Sequence, residues 1–131
     1  MRPLPELTAE NTAFWTGGAE GKLVIAFCSD CSAAIQPPQL VCPKCWCENI
    51  ESLAVPGTGS VYSYTVNHQP WAPDMKVPFA LAVVDVDGAA GVRVTAEVVN
   101  ANPEMVAIGQ QMRVTFLNVD DIWLPQWEPA I

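Results

Sequence analysis

The sequence carries little charge, and few of its charges are positive. Lys and Arg number 6 against 14 Asp and Glu, so the formal net charge at pH 7 is −8. Proteins that hold nucleic acid or anionic membranes through a broad electrostatic field need many cations, so this balance disfavours both ligand classes. An anionic ligand would have to be held by a local patch.

Long hydrophobic runs and a secretion signal are also missing. Nowhere do about 18 apolar residues follow one another, and the start, Met1-Arg2-Pro3-Leu4-Pro5, has neither an h-region nor a cleavage site. We therefore expect no membrane span and a cytoplasmic location. The chain has 131 residues, of which 50% are hydrophobic and 15% charged, so it should bury a core of its own.

The first segment, residues 1–22, predicts a short helix. Thr8 is a suitable N-cap, and the glycine pair 17–18 would end the helix at a left-handed residue. Phe14 and Trp15 are adjacent and diverge by about 100° around a helix, so they do not share the centre of one narrow apolar stripe. Either both cover the chain's own core, or one of them contacts a partner.

The second segment, residues 23–54, holds two C-x-x-C motifs. Cys28 and Cys31 form the first, and Cys42 and Cys45 form the second after ten intervening residues. Each motif binds one ion through two thiolates, and two of them complete a tetrahedral four-sulfur shell. We expect a structural zinc on these four residues, although four thiolates would also hold iron. With no position left for water, the metal-binding free energy is largely folding free energy.

A fifth cysteine, Cys47, follows two residues after Cys45. It could replace Cys45 as a ligand, but the spacing of the first motif favours Cys45, and we expect Cys47 to be a buried thiol outside the metal shell. An odd number of cysteines without a secretion signal argues against disulfides. A catalytic thiolate would need an adjacent base, and the single histidine, His68, lies in another segment.

The third segment, residues 55–131, is rich in Val, Thr and Tyr with turn residues at regular intervals, which is typical of an all-β domain. An Asn-Pro pair at 102–103 predicts one helical turn between the third and fourth strands. Pro125 should confine the last strand to a short edge. Such an arrangement is typical of a five-stranded OB-fold barrel. The expected strands are 60–66, 79–86, 92–99, 111–119 and a short one at 122–124.

Short motifs follow one another in a recognisable order from about Phe14 to Pro129. They are Phe14-Trp15, Glu20-Gly21-Lys22-Leu23, the two C-x-x-C motifs with Pro37-Pro38 between them, Gly57-x-Gly59-x-Val61-Tyr62-Ser63-Tyr64-Thr65, Pro78-Phe79-Ala80-Leu81-Ala82-Val83-Val84, and Ile108-Gly109 with Val114-x-Phe116. In this order they resemble a zinc-ribbon plus OB-fold family associated with acyl-CoA metabolism, long catalogued as a domain of unknown function. The resemblance implies a mainly β fold with a short N-terminal helix, a rubredoxin-like zinc ribbon and a C-terminal five-stranded OB-fold barrel.

The same resemblance implies an accessory role. Members of the family accompany thiolase-fold enzymes and hotdog-fold enoyl-CoA hydratases, and some pair with lipid-transfer-type aldolases in steroid side-chain degradation. The expected function is therefore a non-catalytic subunit that docks on a thiolase-fold acyl-CoA enzyme in a hetero-oligomer and helps to form its acyl-CoA channel. A CoA thioester would then be a ligand shared with the partner.

Candidate contact residues come from the apolar and cationic side chains. Trp71, Trp123 and Trp127 lie in loop or edge contexts, where they either contact a partner or plug the ends of the barrel. Coenzyme A needs cations for its phosphates and an apolar slot for its pantetheine arm. If this chain supplies both, it is an acyl-CoA carrier in its own right. The full candidate set is Phe14, Trp15, His68, Trp71, Lys76, Arg93, Arg113, Trp123 and Trp127.

Two further function classes are weaker. The sequence shows no convergent acid–base set for a free-standing enzyme, and His68 is either a general base or a hydrogen-bonding loop residue. Zinc ribbons and OB barrels also bind single-stranded nucleic acids, and Tyr62, Tyr64 and Phe79 could stack on bases. The net charge of −8 disfavours that interpretation.

Overall fold

A computed structural model describes residues 4–70 and 76–130 of the chain. It contains one short α-helix, two 3-10 helices and eight strands in two sheets. The mainly β fold class is confirmed. The elements are α1 (Thr12–Thr16), 3-10 helices at Gly17–Glu20 and Pro103–Met105, and strands β1 (Leu23–Cys28), β2 (Ala34–Ile35), β3 (Ile50–Val55), β4 (Thr58–Asn67), β5 (Phe79–Val86), β6 (Arg93–Glu97), β7 (Gln111–Val119) and β8 (Ile122–Pro129).

The N-terminal helix begins later than its sequence signal predicts. Thr8 donates its backbone N–H to Oδ1 of Asn11 at 2.7 Å, and Asn11 donates its own to Oγ1 of Thr8 at 3.3 Å. These reciprocal bonds close a turn that precedes α1, and the helix starts only at Thr12. Thr8 therefore caps a turn, because its side chain reaches the N–H three residues ahead before the chain becomes helical.

The glycine pair at 17–18 does not end the helix as expected. Gly17 has φ −59°, the chain continues as a 3-10 helix, and the left-handed residue is Gly21 with φ 70°. The pair instead allows close packing. A Cβ on Gly17 would lie 2.7 Å from Val24, and one on Gly18 would lie 2.6 Å from Phe116. Side chains at either position would push the N-terminal segment off β1 and β7.

The first sheet is the ribbon, with the antiparallel order β2-β1-β3. Its central strand serves two cores. Leu23 and Ile25, 1% and 0% exposed, belong to the large core of the molecule. Ala26 and Cys28 belong to a small core within the ribbon. β1 therefore joins the metal-binding end of the ribbon to the barrel through one rigid strand.

The second sheet is the five-stranded barrel, in the antiparallel order β6-β5-β4-β7-β8. A parallel bridge between Val98 and Trp127 joins its two ends, and Val99 donates its N–H to the Trp127 carbonyl at 2.8 Å. The helical turn predicted between the third and fourth strands is present at Pro103–Met105, where Oδ1 of Asn102 accepts the Glu104 N–H at 3.0 Å.

Two strand boundaries differ from the sequence prediction. β6 covers only Arg93–Glu97, and β8 is a full strand of eight residues rather than a short one. Pro125 lies within β8 opposite Phe116. It is tolerated there because β8 ends the sheet order, so the missing N–H takes no ladder partner away from a further strand.

Candidate metal centre and neighbouring groove

The first C-x-x-C motif forms a tight knuckle between β1 and β2. Ser32 donates its N–H to the Cys28 carbonyl, and Cys28 donates its own to the Ala33 carbonyl, both at 2.9 Å. Ser32 takes a left-handed φ of 63° to complete the turn. The N–H of Cys31 points at Sγ of Cys28 from 3.4 Å. Hydrogen bonds of this kind favour the thiolate form of a cysteine, which is the form that binds metal.

The second motif repeats this geometry. Trp46 donates its N–H to the Cys42 carbonyl, and Cys42 donates to the Cys47 carbonyl, both at 2.9 Å. Trp46 has φ 66°, and Lys44 directs its N–H to Sγ of Cys42 from 3.4 Å. The two knuckles are thus equivalent position by position, and the second cysteine of this one is Cys45.

The two knuckles bring four thiols together. Sγ atoms of Cys28, Cys31, Cys42 and Cys45 all lie within 4.8 Å of one another. Four thiolates at about 2.3 Å from a tetrahedral zinc stand roughly 3.8 Å apart, so the arrangement fits one ion. Cys28 and Cys42 are buried, whereas Cys31 and Cys45 are exposed. These four residues would hold a zinc that cross-links the two loops.

Cys47 lies closer to this cluster than expected. It is half-buried rather than buried, and its Sγ is 3.0 Å from Sγ of Cys28. This thiol contact, followed by the Cys31 N–H, is the largest cause that lowers the pKa of Cys28 to about 6. The return of the chain after Trp46 explains the placement, since the bond from Cys42 to the Cys47 carbonyl folds position 47 back over the site.

An open groove of about 450 Å³ lies where the helix, the ribbon and the barrel meet. Trp15 forms one wall, with the ring of the buried Phe14 packed edge-on at 4.8 Å. Oε1 of Gln36 is buried and has no hydrogen-bond partner among the described residues. The lining residues are Phe14, Trp15, Gln36, Pro37, Leu81, Arg93, Val94, Thr95, Ala96, Glu97, Leu124 and Pro125.

The candidate CoA-binding cations do not form one patch. Arg93 pairs with Asp85 at 2.9 Å and lies over the Tyr62 ring, 3.8 Å from its centroid. Arg113 stands on β7, which is not a neighbour of β6, and pairs with Glu128. Both guanidiniums are therefore already compensated by carboxylates. The third candidate, Lys76, is exposed.

The remaining candidates separate into surface and core. Nε2 of His68 lies 3.4 Å from Glu104, and both side chains are exposed. Trp123 is half-buried against Gly18, and Trp71 lies outside the described residues. Trp127 is 0% exposed. Its expected contact role is wrong, because its side chain fills the barrel interior.

The most exposed large apolar side chains were not among the candidates. Trp46 is 81% exposed, and Leu40 and Val41 lie in the same loop, so we call these three residues the ribbon-loop patch. Met105, in the 3-10 helix of the barrel segment, is 71% exposed. A signal for Trp46 existed. In both motifs, the residue after the second cysteine has a left-handed φ and is exposed.

Comparison with known protein families agrees with this architecture. Residues 15–51 match the model of the ChsH2 rubredoxin-like zinc ribbon domain, and residues 53–117 match that of the ChsH2 C-terminal OB-fold domain. The chain belongs to the ChsH2 family. The zinc-ribbon and OB-fold expectations are confirmed, and the ribbon match favours zinc at the four cysteines.

Individual ChsH2 and DUF35 relatives extend the comparison. The chain is 34% identical over 128 residues to the 3-oxo-4,17-pregnadiene-20-carboxyl-CoA hydratase alpha subunit of Mycobacterium tuberculosis, covering 95% of this chain and 39% of that one. A DUF35 domain-containing scaffold protein of Methanocaldococcus jannaschii is 30% identical over 96 residues, covering 72% and 67%. The chain spans about two fifths of the hydratase alpha subunits that it matches.

A solved structure matches the whole fold of this ChsH2-family chain. The structure is titled Ltp2-ChsH2(DUF35) aldolase, and the match has a TM-score of 0.86 at 28% identity. It covers 98% of this chain and 100% of that one. Among the described residues, no helix has the length and apolar character needed to cross a membrane.

Proposed function

We propose that this chain is a non-catalytic accessory subunit that docks on a thiolase-fold acyl-CoA aldolase. The match to the chain of the Ltp2-ChsH2(DUF35) aldolase carries the proposal, because it extends over the ribbon, the helix and the barrel together. The relatives named as scaffold proteins and hydratase alpha subunits support a role within a complex. A hotdog-fold hydratase is a further candidate partner.

The chemistry of the described surface supports a subunit without its own catalysis. His68 is exposed, and its Nε2 lies 3.4 Å from the exposed carboxylate of Glu104 rather than beside a nucleophile in a cleft. The five thiols all belong to the ribbon, and four of them form the candidate metal site. The reaction then depends on side chains of the partner, and this chain contributes surface and shape.

The ribbon-loop patch is the docking surface that we propose. Interfaces concentrate their binding energy in a few buried aromatic side chains, with tryptophan the most enriched. A backbone hydrogen bond of 2.9 Å from Trp46 to Cys42 fixes the main chain that carries the indole, so a partner that covers the side chain has less backbone to order. Leu40 and Val41, in the same loop, are also exposed apolar side chains.

We expect Trp46→Ser to weaken docking by about 2 kcal/mol, or roughly 30-fold in Kd, because a partner pocket would lose its aromatic anchor. The measurement is capture of partners from extracts of the native cell, identified by mass spectrometry, followed by titration of the recovered enzyme. Met105→Ser, which alters an equally exposed side chain on the barrel, is the matched control and should bind normally. Recovery of no CoA enzyme by the unaltered chain would contradict the proposed function.

A second candidate function is direct contact with acyl-CoA, favoured by the groove beside Trp15. The buried Oε1 of Gln36 has no donor within residues 4–70 and 76–130, and an unpaired buried acceptor is costly. The pantetheine arm of CoA is a slender chain that suits an apolar slot, and its amide N–H groups could donate to Oε1 of Gln36. We therefore propose that this groove forms part of the acyl-CoA channel shared with the partner.

Gln36→Leu should have opposite effects on binding and stability if acyl-CoA occupies the groove. Affinity for acyl-CoA should fall about tenfold with the loss of one hydrogen bond, while the free energy of unfolding stays constant or rises as the unpaired acceptor disappears. Calorimetric titration of the complex with acyl-CoA and urea unfolding of the free chain measure the two effects. Gln39→Leu, on the exposed part of the same loop, is the control. Unchanged acyl-CoA affinity in the Gln36 variant would exclude this contact.

A further inference from the structure

The two knuckles differ at one pair of equivalent positions. The Cys28 N–H bonds to the carbonyl of Ala33 in the first, and the Cys42 N–H bonds to the carbonyl of Cys47 in the second, both at 2.9 Å. Ala33 and Cys47 therefore occupy the same place in the turn. The first knuckle has a methyl group at this place, and the second has a thiol. Only the second knuckle therefore has a sulfur beyond its two expected ligands.

The spare thiol lies outside the group of four but directly beside one of its members. Sγ of Cys47 lies 3.0 Å from Sγ of Cys28, compared with 3.4 Å between Cys28 and Cys45. Cys47 and Cys45 thus approach the same buried ligand. Cys45 is the exposed member of its knuckle, whereas Cys47 is half-buried. Of the two exposed ligands, Cys31 and Cys45, only Cys45 belongs to the knuckle that has this additional thiol.

We infer that the centre has two alternative four-thiolate shells, sharing Cys28, Cys31 and Cys42 and differing in whether Cys45 or Cys47 is the fourth ligand. In the exchange, the zinc–sulfur bond to Cys45 breaks and its thiolate takes up a proton. Cys47 releases its thiol proton and forms the new zinc–sulfur bond. The charge of the centre is unchanged, and no oxidant is involved. The ribbon then keeps its metal when Cys45 is substituted or no longer binds the ion.

The equivalence of the knuckles provides the test. Cys31→Ser and Cys45→Ser each remove one exposed ligand, but only the second knuckle has a replacement. With Co²⁺ as the probe, Cys45→Ser should retain the absorption of a four-thiolate site, and Cys31→Ser should show that of a three-thiolate site. In competition with a chelator, Cys31→Ser should bind Zn²⁺ on the order of 100-fold more weakly than the unaltered chain, since it loses one of four ligands.

The double variant Cys45→Ser/Cys47→Ala identifies the substitute. It should lose the four-thiolate absorption and bind Zn²⁺ as weakly as Cys31→Ser, while Cys47→Ala alone should bind as the unaltered chain does. Equal weakening by Cys45→Ser and Cys31→Ser would overturn the inference, and so would a double variant that binds no worse than Cys45→Ser. Failure of Cys45→Ser to fold, when Cys47→Ala folds, would overturn it equally. A metal-loaded Cys45→Ser beside an unfolded Cys31→Ser would support it.

Discussion

Replacement of Cys42 by serine is expected to unfold the zinc ribbon and leave the barrel strands folded. Cys42 is 0% exposed and supplies one of the four clustered thiols. Among the described residues, the ribbon core consists of the buried Ala26, Cys28, Ile35 and Cys42, with Ala33, Cys47 and Ile50 partly buried against it. Ile35 is its one buried large aliphatic side chain. Burial of one isoleucine contributes about 2 kcal/mol, whereas fixing the backbone costs about 1–2 kcal/mol for every residue. An apparent metal-binding energy of about 10–16 kcal/mol is therefore what holds this segment.

Hydrogen exchange followed by mass spectrometry measures this effect segment by segment. In Cys42→Ser, amides of β2 and β3 should exchange within the first time points, while those of β4 and β5 stay protected. Cys47→Ala provides the control, because it removes a neighbouring thiol and keeps all four expected ligands. Ribbon protection that survives in Cys42→Ser would show that packing alone holds the loop and that the metal contributes little to folding.

Unfolding of the ribbon should also lower the stability of the barrel. Leu23 and Ile25 of β1 are buried in the large core, so an unfolded ribbon weakens their anchoring and lowers the barrel's melting temperature. Removal of metal by a chelator should reproduce both changes in the unaltered chain. These changes would show that β1 couples the two parts. The metal fixes its Cys28 end, and its Leu23 end completes the barrel core.

The parts of the fold that the sequence predicts well are those with local signals. The knuckles follow from C-x-x-C spacing, the bounds of β5 follow from an apolar run that ends at an Asp-Gly turn, and those of β7 follow from alternating apolar and polar residues. The helical turn at Pro103–Met105 follows from a cap residue and a proline within one turn. Each of these depends on neighbours only a few residues away.

The parts that it predicts badly depend on contacts between distant residues. Gly17 and Gly18 look like a helix stop, yet their role is to let the N-terminal segment pack closely against β1 and β7, which no local pattern predicts. Cys47 shows the same limit in the metal site, since its contact with Cys28 spans 19 residues. The outward turn of Trp46, by contrast, could be predicted once both knuckles are aligned position by position.

Trp127→Ala should cause the largest loss of stability among substitutions in the barrel. The side chain is 0% exposed, and its indole N–H donates to the Val94 carbonyl at 3.2 Å. Truncation would leave a large cavity and an unpaired acceptor, at a cost of about 3–5 kcal/mol. Because small domains are stable by only about 5–15 kcal/mol, the unfolded state should become measurably populated. Urea unfolding followed by circular dichroism measures the difference.

Two controls separate burial from the chemistry of tryptophan. Trp46→Ala makes the same substitution at an 81% exposed position and should change the free energy of unfolding by less than about 0.5 kcal/mol. Trp127→Phe keeps most of the volume but loses the bond to Val94, so it should lie between the unaltered chain and Trp127→Ala. Since the bridge from Val98 to Trp127 joins the two ends of the sheet, these variants also test whether closure depends on the side chain or on the backbone alone. Equal loss in Trp127→Phe and Trp127→Ala would mean that the indole hydrogen bond, and not the packed volume, keeps the barrel closed.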